Sequence, residues 1–407
     1  MDKPKKVLLM RGYFPPESAA SNQMCLDLIK KLGERGMEVT VACPIPTRGV
    51  SDEIRREYKN RKKEELFPNV TIKRYWLPKE KNNSLLRAAR YLLQNVYQFF
   101  YGLRTKYDVL FLYSTPPTNG MIGGMLAQIK KKSFYYYLHD IFPDSLVQTG
   151  LTETGSLMWK IGRKIENYSY KHASKVITIS ESMRDNIIKK GVPKEKIAII
   201  PNWVNAEQVH HIDRDKNTLI NEYHIDPEKF IVTYAGNIGE SQSVNTLIES
   251  AKLLQSEEDI LFVVIGDGTE KEKCMSIANE LSNVVFIPMQ SPTRISEVYS
   301  LGNVSTVLCR KGVGAAGMPS KTGSIFATST MIIAAFDNGS DLQKIIDQNE
   351  LGICVEPEKP ESLAEAILWA KSNKESVKQR GERGNKYLTN HMTAEICTDK
   401  LWSIICS

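Results

Sequence analysis

The amino-acid sequence predicts an α/β protein made of two doubly wound domains, each a parallel β-sheet with helices on both faces. In both halves of the chain, short apolar segments rich in β-branched residues alternate with segments of helical periodicity, which is the pattern of parallel sheets. The chain of 407 residues is also longer than a single hydrophobic core usually grows. Two Rossmann-like domains are therefore expected.

The elements follow one another in a regular order. Predicted strands of the first half lie at 7–10, 39–43, 109–113, 134–138 and 176–179, with an amphipathic helix at about 20–35. Those of the second half lie at 231–235, 261–265, 284–287, 304–308, 331–335 and 353–355. The longest uncharged stretch, 109–129, contains STPPTN in its middle and indicates a strand, a loop and a helix rather than a membrane span.

A domain boundary is expected where the sequence PNW at 201–203 ends an apolar strand and the polar segment 205–229 begins. We therefore assign 1–205 to an N-terminal domain and 206–390 to a C-terminal domain. The last segment, 391–407, is a candidate helix that crosses back to the N-terminal domain. Ligands of such sheets bind beyond the carboxyl ends of the strands, so the loops that follow strands, facing an interdomain cleft, should carry function.

Composition excludes several classes of protein. The seven cysteines are odd in number, widely spread and free of any CxxC pair, which argues against disulfide or zinc frameworks and favours a reducing, cytoplasmic setting. The apolar run at 7–10 is too short for a secretion signal. Residues 1–205 hold 35 Lys and Arg against 19 Asp and Glu, a net charge of +16, whereas 206–407 carry −9. The basic half suits nucleic acid, an anionic membrane surface or a phosphorylated substrate, and the arrangement of the charges must choose among them.

Seven short motifs follow predicted strands in a fixed order. They are FPPE at 14–17, STPP at 114–117, HDIFPDS at 139–145, IPN at 200–202, YAGNIG at 234–239, IGDG at 265–268 and MPSK at 318–321. Together they resemble glycosyltransferase family 4, which has the GT-B fold, and especially its bacterial surface-polysaccharide branch. Each motif alone is weak, but seven in order over nearly the whole chain are specific.

The resemblance implies retaining transfer from a nucleotide sugar without a metal or other cofactor. A UDP-sugar is the expected donor, with an N-acetylated deoxysugar such as N-acetylfucosamine as the expectation for this branch. The acceptor would be lipid-linked or a saccharide, in capsule, O-antigen or exopolysaccharide assembly. Catalytic roles are implied for His139, Asp140 and Lys321. Donor contacts are implied for Gly12, Gly236, Asn237, Gln242, Asp267, Arg310, Met318, Pro319, Ser320 and Lys321.

Lys321 is also a candidate on physical grounds. It follows a glycine-bearing loop and the Pro319-Ser320 pair that marks a helix start, so backbone amides and an ammonium group would converge on a diphosphate. Two departures from the family pattern stand close by. Relatives commonly carry glutamates at the positions of Ala316 and Ser324, which leaves open whether the donor contacts are altered or activity is lost.

Two other site types compete with this interpretation. The loop 312–317 reads GVGAAG, a dinucleotide fingerprint, with Asp337 at the end of the next strand, and so leaves an NAD-dependent oxidoreductase as an alternative. A non-catalytic nucleotide-sugar-binding subunit is a second alternative. The segment HHIDRD at 210–215 contains a DxD, but it lies in the polar linker and not after a strand, so no metal site is expected there.

A helical stripe of apolar residues at about 85–103 is flanked by basic residues, and a second basic run lies at 55–63. A core-facing helix explains the stripe alone. With the flanking charges we expect a peripheral membrane surface on the inner face of the cell membrane, formed by Arg87, Arg90, Phe99, Phe100 and Arg104. Nucleic acid is not an expected partner, because no aromatic stacking platform or basic recognition helix accompanies these charges.

Overall fold

The structure, a computed structural model, describes residues 6–17, 21–80, 83–148, 150–314 and 318–406. It divides into two compact units. Unit 1 comprises Met1–Pro201 and Cys397–Ser407, and unit 2 comprises Asn202–Ile396. The division falls four residues before the boundary placed at 205/206 from the sequence.

Unit 1 contains one eight-stranded sheet. Its strands are β1 Lys6–Met10, β2 Glu38–Pro44, β3 Lys63–Phe67, β4 Val70–Tyr75, β5 Val109–Tyr113, β6 Ser133–Leu138, β7 Lys175–Thr178 and β8 Ile197–Ile199. Their order across the sheet is β3-β4-β2-β1-β5-β6-β7-β8, and all neighbours pair in parallel except β3 with β4. The chain moves to one side of β1 and then to the other, so the sheet is doubly wound.

The helices of unit 1 connect these strands. They are α1 Asn22–Glu34, α2 Asp52–Asn60, α3 Ser84–Arg104, α4 Asn119–Lys130, α5 Asp144–Gln148, α6 Leu157–His172 and α7 Glu181–Lys189. Strand β5 followed by α4 confirms the strand, loop and helix predicted at 109–129. Ser51, Ser156 and Ser180 cap α2, α6 and α7 by accepting a hydrogen bond from a first-turn amide.

Unit 2 contains a six-stranded parallel sheet. Its strands are β9 Phe230–Asn237, β10 Ile260–Asp267, β11 Val284–Ile287, β12 Val304–Leu308, β13 Met331–Ala335 and β14 Gly352–Val355, in the order β11-β10-β9-β12-β13-β14. Its helices are α8 Thr218–Glu222, α9 Asn245–Leu253, α10 Lys271–Ile277, α11 Ile295–Ser300, α12 Lys321–Ala327, α13 Asp341–Asn349, α14 Pro360–Ser372 and α15 Lys374–His391. All six strands predicted in this half are confirmed.

Alternation along β9 shows how the unit 2 sheet is covered. Phe230, Val232 and Tyr234 belong to one buried apolar cluster, whereas Ile231 and Ala235 belong to another. Successive side chains of a strand point to opposite faces, so both faces of this sheet are packed. The predicted doubly wound parallel fold is confirmed.

The last helix is α16, Ala394–Cys406, and its residues from Cys397 onward belong to unit 1. Asp399 accepts a hydrogen bond from Arg35 at 2.6 Å and pairs with Lys31 at 3.0 Å, both on or beside α1. The Arg35 guanidinium also lies 4.4 Å from the centre of the Trp402 ring. In the part of the chain that the structure describes, no helix is long and apolar enough to cross a bilayer.

Candidate active site

Each sheet has one point where the strand order reverses, and this point predicts where a ligand binds. In unit 2 the reversal lies between β9 and β12, and in unit 1 between β1 and β5. In unit 1, Gly12 follows β1, and His139 and Asp140 follow β6, the neighbour of β5; in unit 2, Lys321 lies beyond the end of β12. Each unit is therefore considered by itself.

Lys321 is the first residue of α12, and its ammonium group is buried. Nζ makes no hydrogen bond with any described residue and lies 4.0 Å from the centre of the Tyr234 ring. Burial lowers its pKa from the ordinary value of 10.5 to about 7. The Lys321 amine thus contacts an aromatic face and pairs with no carboxylate of the described residues, an environment suited to an anionic ligand.

Backbone packing at the ends of β9 and β10 keeps the neighbourhood of Lys321 open. Gly236 has φ +134, a conformation that favours glycine, and a Cβ there would lie 3.0 Å from Lys321 Nζ. Gly266 pairs with Gly236 across the sheet, and a Cβ on it would lie 1.9 Å from the Gly236 carbonyl oxygen. Glycine is therefore required at 266, where a side chain would collide with the neighbouring strand, and favoured at 236, where φ is positive.

Four other predicted donor residues lie at or near these strand ends. Asn237 Nδ2 donates to Gln242 Oε1 at 2.8 Å, which orders the turn after β9. Asp267 is exposed, and its carboxylate accepts from the Gly268 amide at 2.9 Å. Arg310 forms an ion pair with Glu240, so its charge is already partly neutralised in the ligand-free protein. All of these residues belong to the predicted donor site, and their contacts with a donor stay predictions.

The Met318-Pro319-Ser320 segment leads into α12, which begins two residues after Pro319. Ser320 is exposed and makes no side-chain cap, so its hydroxyl is available to a ligand. The Met318 side chain belongs instead to the buried apolar core of unit 2. Because the core covers that side chain, the predicted donor contact of Met318 would have to come from its backbone, and it stays a prediction.

The GVGAAG loop is held by the carboxylate of Asp337. Its two oxygens accept hydrogen bonds from the Gly312 amide at 2.8 Å and the Gly314 amide at 2.7 Å. In a dinucleotide fingerprint those amides would face a pyrophosphate and the carboxylate would face a ribose. Here the two amides donate to the Asp337 carboxylate. These groups are therefore not available for the pyrophosphate and the ribose that the oxidoreductase alternative requires. Ala316 and Gly317 lie outside the described residues.

His139 follows β6 in unit 1 and packs against two tyrosines. Its ring stacks on Tyr113 at a centroid distance of 5.4 Å and lies 4.6 Å from Tyr137, while its backbone amide donates to Ser114 Oγ at 3.1 Å. Nε2 is buried without a hydrogen-bond partner among the described residues. Burial, followed by the charge of Arg11, lowers the pKa of His139 to about 3, so the ring is neutral at pH 7.

Asp140 lies beside His139 at the surface. Protein atoms crowd its carboxyl group and raise its pKa, and hydrogen bonds from the Ser145 hydroxyl and the Ile141 amide oppose this shift. Asp144, four residues on, pairs with Lys190 at 2.7 Å and accepts from Asn186 at 3.1 Å. The HDIFPDS loop is thereby anchored at its far end, which fixes where Asp140 stands.

Gly12 lies at the end of β1, directly against α3. A Cβ on Gly12 would lie 3.1 Å from Gln94 Nε2 and 3.3 Å from Gln94 Oε1. Gln94 is fully buried, and neither atom of its amide has a hydrogen-bond partner among the described residues. The sequence analysis missed Gln94, and also Arg11, which lies 4.1 Å from the Tyr113 ring centre.

Helix α3 corrects the predicted membrane surface. Arg90 is only 2% exposed, pairs with Glu80 at 3.8 Å and donates to Thr47 Oγ1 at 2.6 Å, so its assignment to a membrane surface is wrong. Phe99 is partly buried. Arg87, Phe100 and Arg104 are exposed, as that prediction requires.

Hydrogen bonds and ion pairs with other residues of unit 2 hold the HHIDRD segment in place. His211 Nδ1 lies 2.9 Å from the Thr328 carbonyl oxygen, and Asp213 pairs with Lys216 at 2.7 Å. Within the described ranges, no group of three or more His, Cys, Asp or Glu side chains could hold a metal ion.

Comparison with known proteins gives matches over nearly the whole chain. A model described as Glycosyltransferase Family 4 matches residues 21–208, and one described as Glycosyl transferases group 1 matches residues 215–387. The putative colanic acid biosynthesis glycosyl transferase WcaI of Escherichia coli is 26% identical over 90% of this chain and 92% of that protein. The capsular polysaccharide biosynthesis glycosyltransferase CapM of Staphylococcus aureus is 24% identical over 81% of this chain and 83% of that protein.

Solved structures agree in fold. The Anabaena protein Alr3699/HepE, determined in complex with UDP, superposes with a TM-score of 0.72 at 14% identity and covers 98% of this chain and 99% of its own. WaaG, a glycosyltransferase involved in lipopolysaccharide biosynthesis, superposes with a TM-score of 0.68 at 14% identity, over 98% of this chain and 99% of its own. At these identities the likeness shows the GT-B fold.

Proposed function

Because the chain belongs to glycosyltransferase family 4, we propose that it is a retaining, metal-independent enzyme that transfers a sugar from a UDP-sugar during bacterial surface-polysaccharide assembly. The acceptor is lipid-linked or a saccharide, and the sugar is a hexose of the N-acetylated deoxy type. Relatives named for colanic acid and capsule biosynthesis support the process, and a fold neighbour solved with UDP supports the donor. No cofactor is needed in this scheme.

The buried ammonium group of Lys321 is the observation that carries the proposal. Its Nζ has no hydrogen-bond partner among the described residues and lies beside Gly236, where only glycine leaves room. A nucleotide diphosphate would supply the missing anion. Because negative charge grows on that diphosphate as the sugar leaves, the lysine stabilises the transition state more than the bound donor.

In the reaction, the bond between C1 of the sugar and the diphosphate oxygen breaks, and the acceptor oxygen bonds to C1 from the same face. The acceptor proton passes to the departing phosphate oxygen or to Asp140. The raised pKa of Asp140 suits the second route, because a base works best with a pKa near the working pH. We assign neutral His139 to a hydrogen bond with the donor sugar through its unpartnered Nε2.

We also propose that α3 docks on the anionic inner face of the cell membrane. Leu92, Val96 and Phe100 recur at intervals of four residues and are exposed, and Arg87 and Arg104 are exposed on the same helix. A helix with an apolar stripe and cationic residues lies in the interface plane of a bilayer. The proposed surface includes Arg87, Phe100 and Arg104, which belong to the predicted set. Leu92 and Val96 take the place of the buried Arg90.

A thermal-shift screen with UDP, GDP, ADP and NADH tests the donor assignment. A ligand that binds only the folded protein stabilises it by about 2.7 kcal/mol at a hundredfold excess over Kd, so UDP should raise the melting temperature and NADH should not. Stabilisation by NADH alone would contradict the proposal. Release of UDP from a UDP-sugar would then show that the protein is an enzyme and not a non-catalytic binding subunit.

A further inference from the structure

The first two turns of α6 expose three large apolar side chains. Leu157 is 75% exposed, Met158 is 48% exposed and Ile161 is 51% exposed. Leu157 and Ile161 are four residues apart and so share one face of the helix, and Met158 lies beside them. Apolar side chains that are grouped at the surface of a folded protein mark a place of contact with a partner or a membrane.

The same two turns pack on the HDIFPDS loop that carries Asp140. Gly162, the residue after Ile161, is buried, and a Cβ on it would lie 2.9 Å from Phe142 Cε1 and 2.9 Å from Pro143 Cβ. Glycine therefore lets the helix approach this loop closely. The exposed apolar side chains stand on the part of α6 that adjoins the acceptor loop.

Ion pairs hold the loop and the helix together. The Lys190 ammonium group lies 2.7 Å from an oxygen of Asp144, in the loop, and 2.8 Å from an oxygen of Glu166, on α6. The side chain of Glu166 is 3% exposed, so this pair is inside the unit. Whatever binds the start of α6 is therefore held at a fixed place beside the loop.

The charges around the apolar side chains favour an anionic partner. Lys160 and Lys164 are exposed, and they follow Leu157 and Ile161 by three residues each. Glu166, the acidic residue of this helix, is turned inward and paired with Lys190. A lysine can lay its hydrocarbon stem on apolar surface while its ammonium group reaches lipid phosphates. This arrangement fits an anionic bilayer better than a protein surface.

Helices α3, α4 and α6 lie on one face of the unit 1 sheet. Each connects two strands in the same direction across the sheet, and right-handed crossovers place such helices on a common face. A Cβ on Gly102 of α3 would lie 2.4 Å from Leu126 Cδ1 of α4, and a Cβ on Gly124 of α4 would lie 2.8 Å from Tyr168 Cε1 of α6. The exposed side of α6 thus continues the layer that begins with α3.

We propose that the start of α6, residues 157–164, inserts into an anionic bilayer as a second membrane contact of unit 1. The contact is separate from the stripe on α3 and lies beside the HDIFPDS loop. It brings the bilayer next to Asp140, so that the acceptor reached there is lipid-linked, a consequence that rests on the proposed glycosyl transfer. The insertion itself is tested without transfer.

Site-specific fluorescence on the full chain measures the insertion. The native cysteines are buried or half-buried, so an exposed cysteine introduced by Ile161→Cys can be labelled with a polarity-sensitive dye, with the labelled wild-type protein as background. The vesicles contain phosphatidylserine and phosphatidylcholine, with or without a nitroxide-labelled lipid as quencher. We expect the dye at position 161 to shift to the blue and to be quenched. Leu253→Cys, exposed to a similar degree in unit 2, should show neither change.

Sedimentation with the same vesicles measures how much α6 contributes. Leu157→Ser combined with Ile161→Ser should weaken binding about tenfold or more, because two apolar side chains no longer leave water. Lys160→Gln combined with Lys164→Gln should weaken it roughly 10- to 30-fold. Leu253→Ser should bind as the wild-type protein does. UDP should stabilise all of these variants equally, so a failure of the donor assignment shows itself separately.

Three results would overturn the proposal. The first is a dye at position 161 that is neither shifted nor quenched by vesicles to which the protein binds. The second is unchanged sedimentation of the double serine variant, or no sedimentation of the wild-type protein. The third is a wild-type dimer in sedimentation velocity that the double serine variant abolishes, which would make the start of α6 an interface between copies of the chain.

Discussion

At the scale of single residues, Lys321 links donor binding to pH. Burial lowers the pKa of its ammonium group to about 7 in the free protein, so above this pH the amine is mostly neutral. A bound diphosphate favours the ammonium form and raises the pKa. Binding of UDP above pH 7 must therefore be accompanied by uptake of a proton, and affinity should fall by up to about tenfold per pH unit.

Calorimetry in two buffers of different ionisation enthalpy measures this uptake. At pH 8.5 we expect the two heats of UDP binding to differ by an amount that approaches one proton per UDP. Lys321→Ala, the matched control, should bind UDP with the same heat in both buffers. Equal heats for the wild-type protein, together with a Kd that is flat from pH 7 to 9, would show that the diphosphate does not contact this lysine.

The residues of the candidate site differ in how far the sequence could predict them. Lys321, His139 and Asp140 follow strands in recognisable motifs, and the structure places each beside the end of a strand. Arg11 and Gln94 belong to no motif. Their positions in unit 1 arise because β1 pairs with β5 and α3 lies against Gly12, contacts between residues about 80 to 100 positions apart that local patterns do not encode.

At the scale of elements, α3 shows how helical periodicity can be assigned to the wrong face. Gln94 and Gln98 are fully buried, whereas Leu92 is 62% exposed and Phe100 is 49% exposed. The sequence contains both stripes, but amphipathicity alone favours burial of the apolar one. Arg90 shares the buried stripe with Gln94, four residues away, and this is why its membrane assignment failed.

We predict that the exposed apolar stripe of α3 attaches the protein to anionic vesicles. Leu92→Ser combined with Phe100→Ser should weaken sedimentation with vesicles rich in phosphatidylserine by tenfold or more, since burying one large apolar side chain contributes about 1.5 to 3 kcal/mol. Charge reversal of Arg87 and Arg104 should weaken it by roughly 30-fold or more, at about 1 kcal/mol for each lost cation. Binding should fall as salt rises.

Leu253→Ser is the matched control, because Leu253 is an exposed leucine of unit 2. It should sediment with vesicles as the wild-type protein does. All variants should keep the affinity of the wild type for UDP. Equal sedimentation of the wild-type protein with neutral and anionic vesicles would contradict a role for the basic residues, and an unchanged serine variant would contradict a role for α3.

Strands β3 and β4 are the elements that the sequence analysis missed. β3 reads KEELF, with no buried residue, because it lies at the edge of the sheet and pairs antiparallel with β4 only. Edge strands rich in charge lack the apolar run by which central strands are found. The alternation of apolar Val70 and Ile72 with polar Thr71 and Lys73, after Pro68-Asn69, was the available signal in the sequence.

At the scale of the whole molecule, we propose that transfer needs no metal because fixed cations of the protein take its place. Neutralisation of the leaving diphosphate is assigned to Lys321, a role that a divalent metal fills in other enzymes. We predict that transfer keeps its full rate after dialysis against EDTA. The measurement is the rate of UDP release with and without chelator. Activity that is lost in EDTA and restored by manganese would contradict this scheme.

The two-unit architecture was predictable because it depends on patterns repeated along the chain, whereas the substrate was not. Alternating apolar strands and helices fix a doubly wound sheet in each half, and the motifs fix where each strand ends. The identity of the sugar depends on the few side chains around the donor. There Ser324 stands in α12 where relatives commonly carry glutamate, so the family pattern does not transfer to it.

The rate of transfer by Lys321→Ala tests the central claim most directly. The variant should fold and yet release UDP from a UDP-sugar roughly 10²- to 10³-fold more slowly than the wild-type protein, a loss of about 3 to 4 kcal/mol of transition-state stabilisation. Its loss of rate should exceed its loss of donor affinity, and Lys321→Arg should recover part of the rate because a planar fork replaces a point charge. A folded alanine variant that transfers sugar within about threefold of the wild-type rate, under ~1 kcal/mol, would contradict the account.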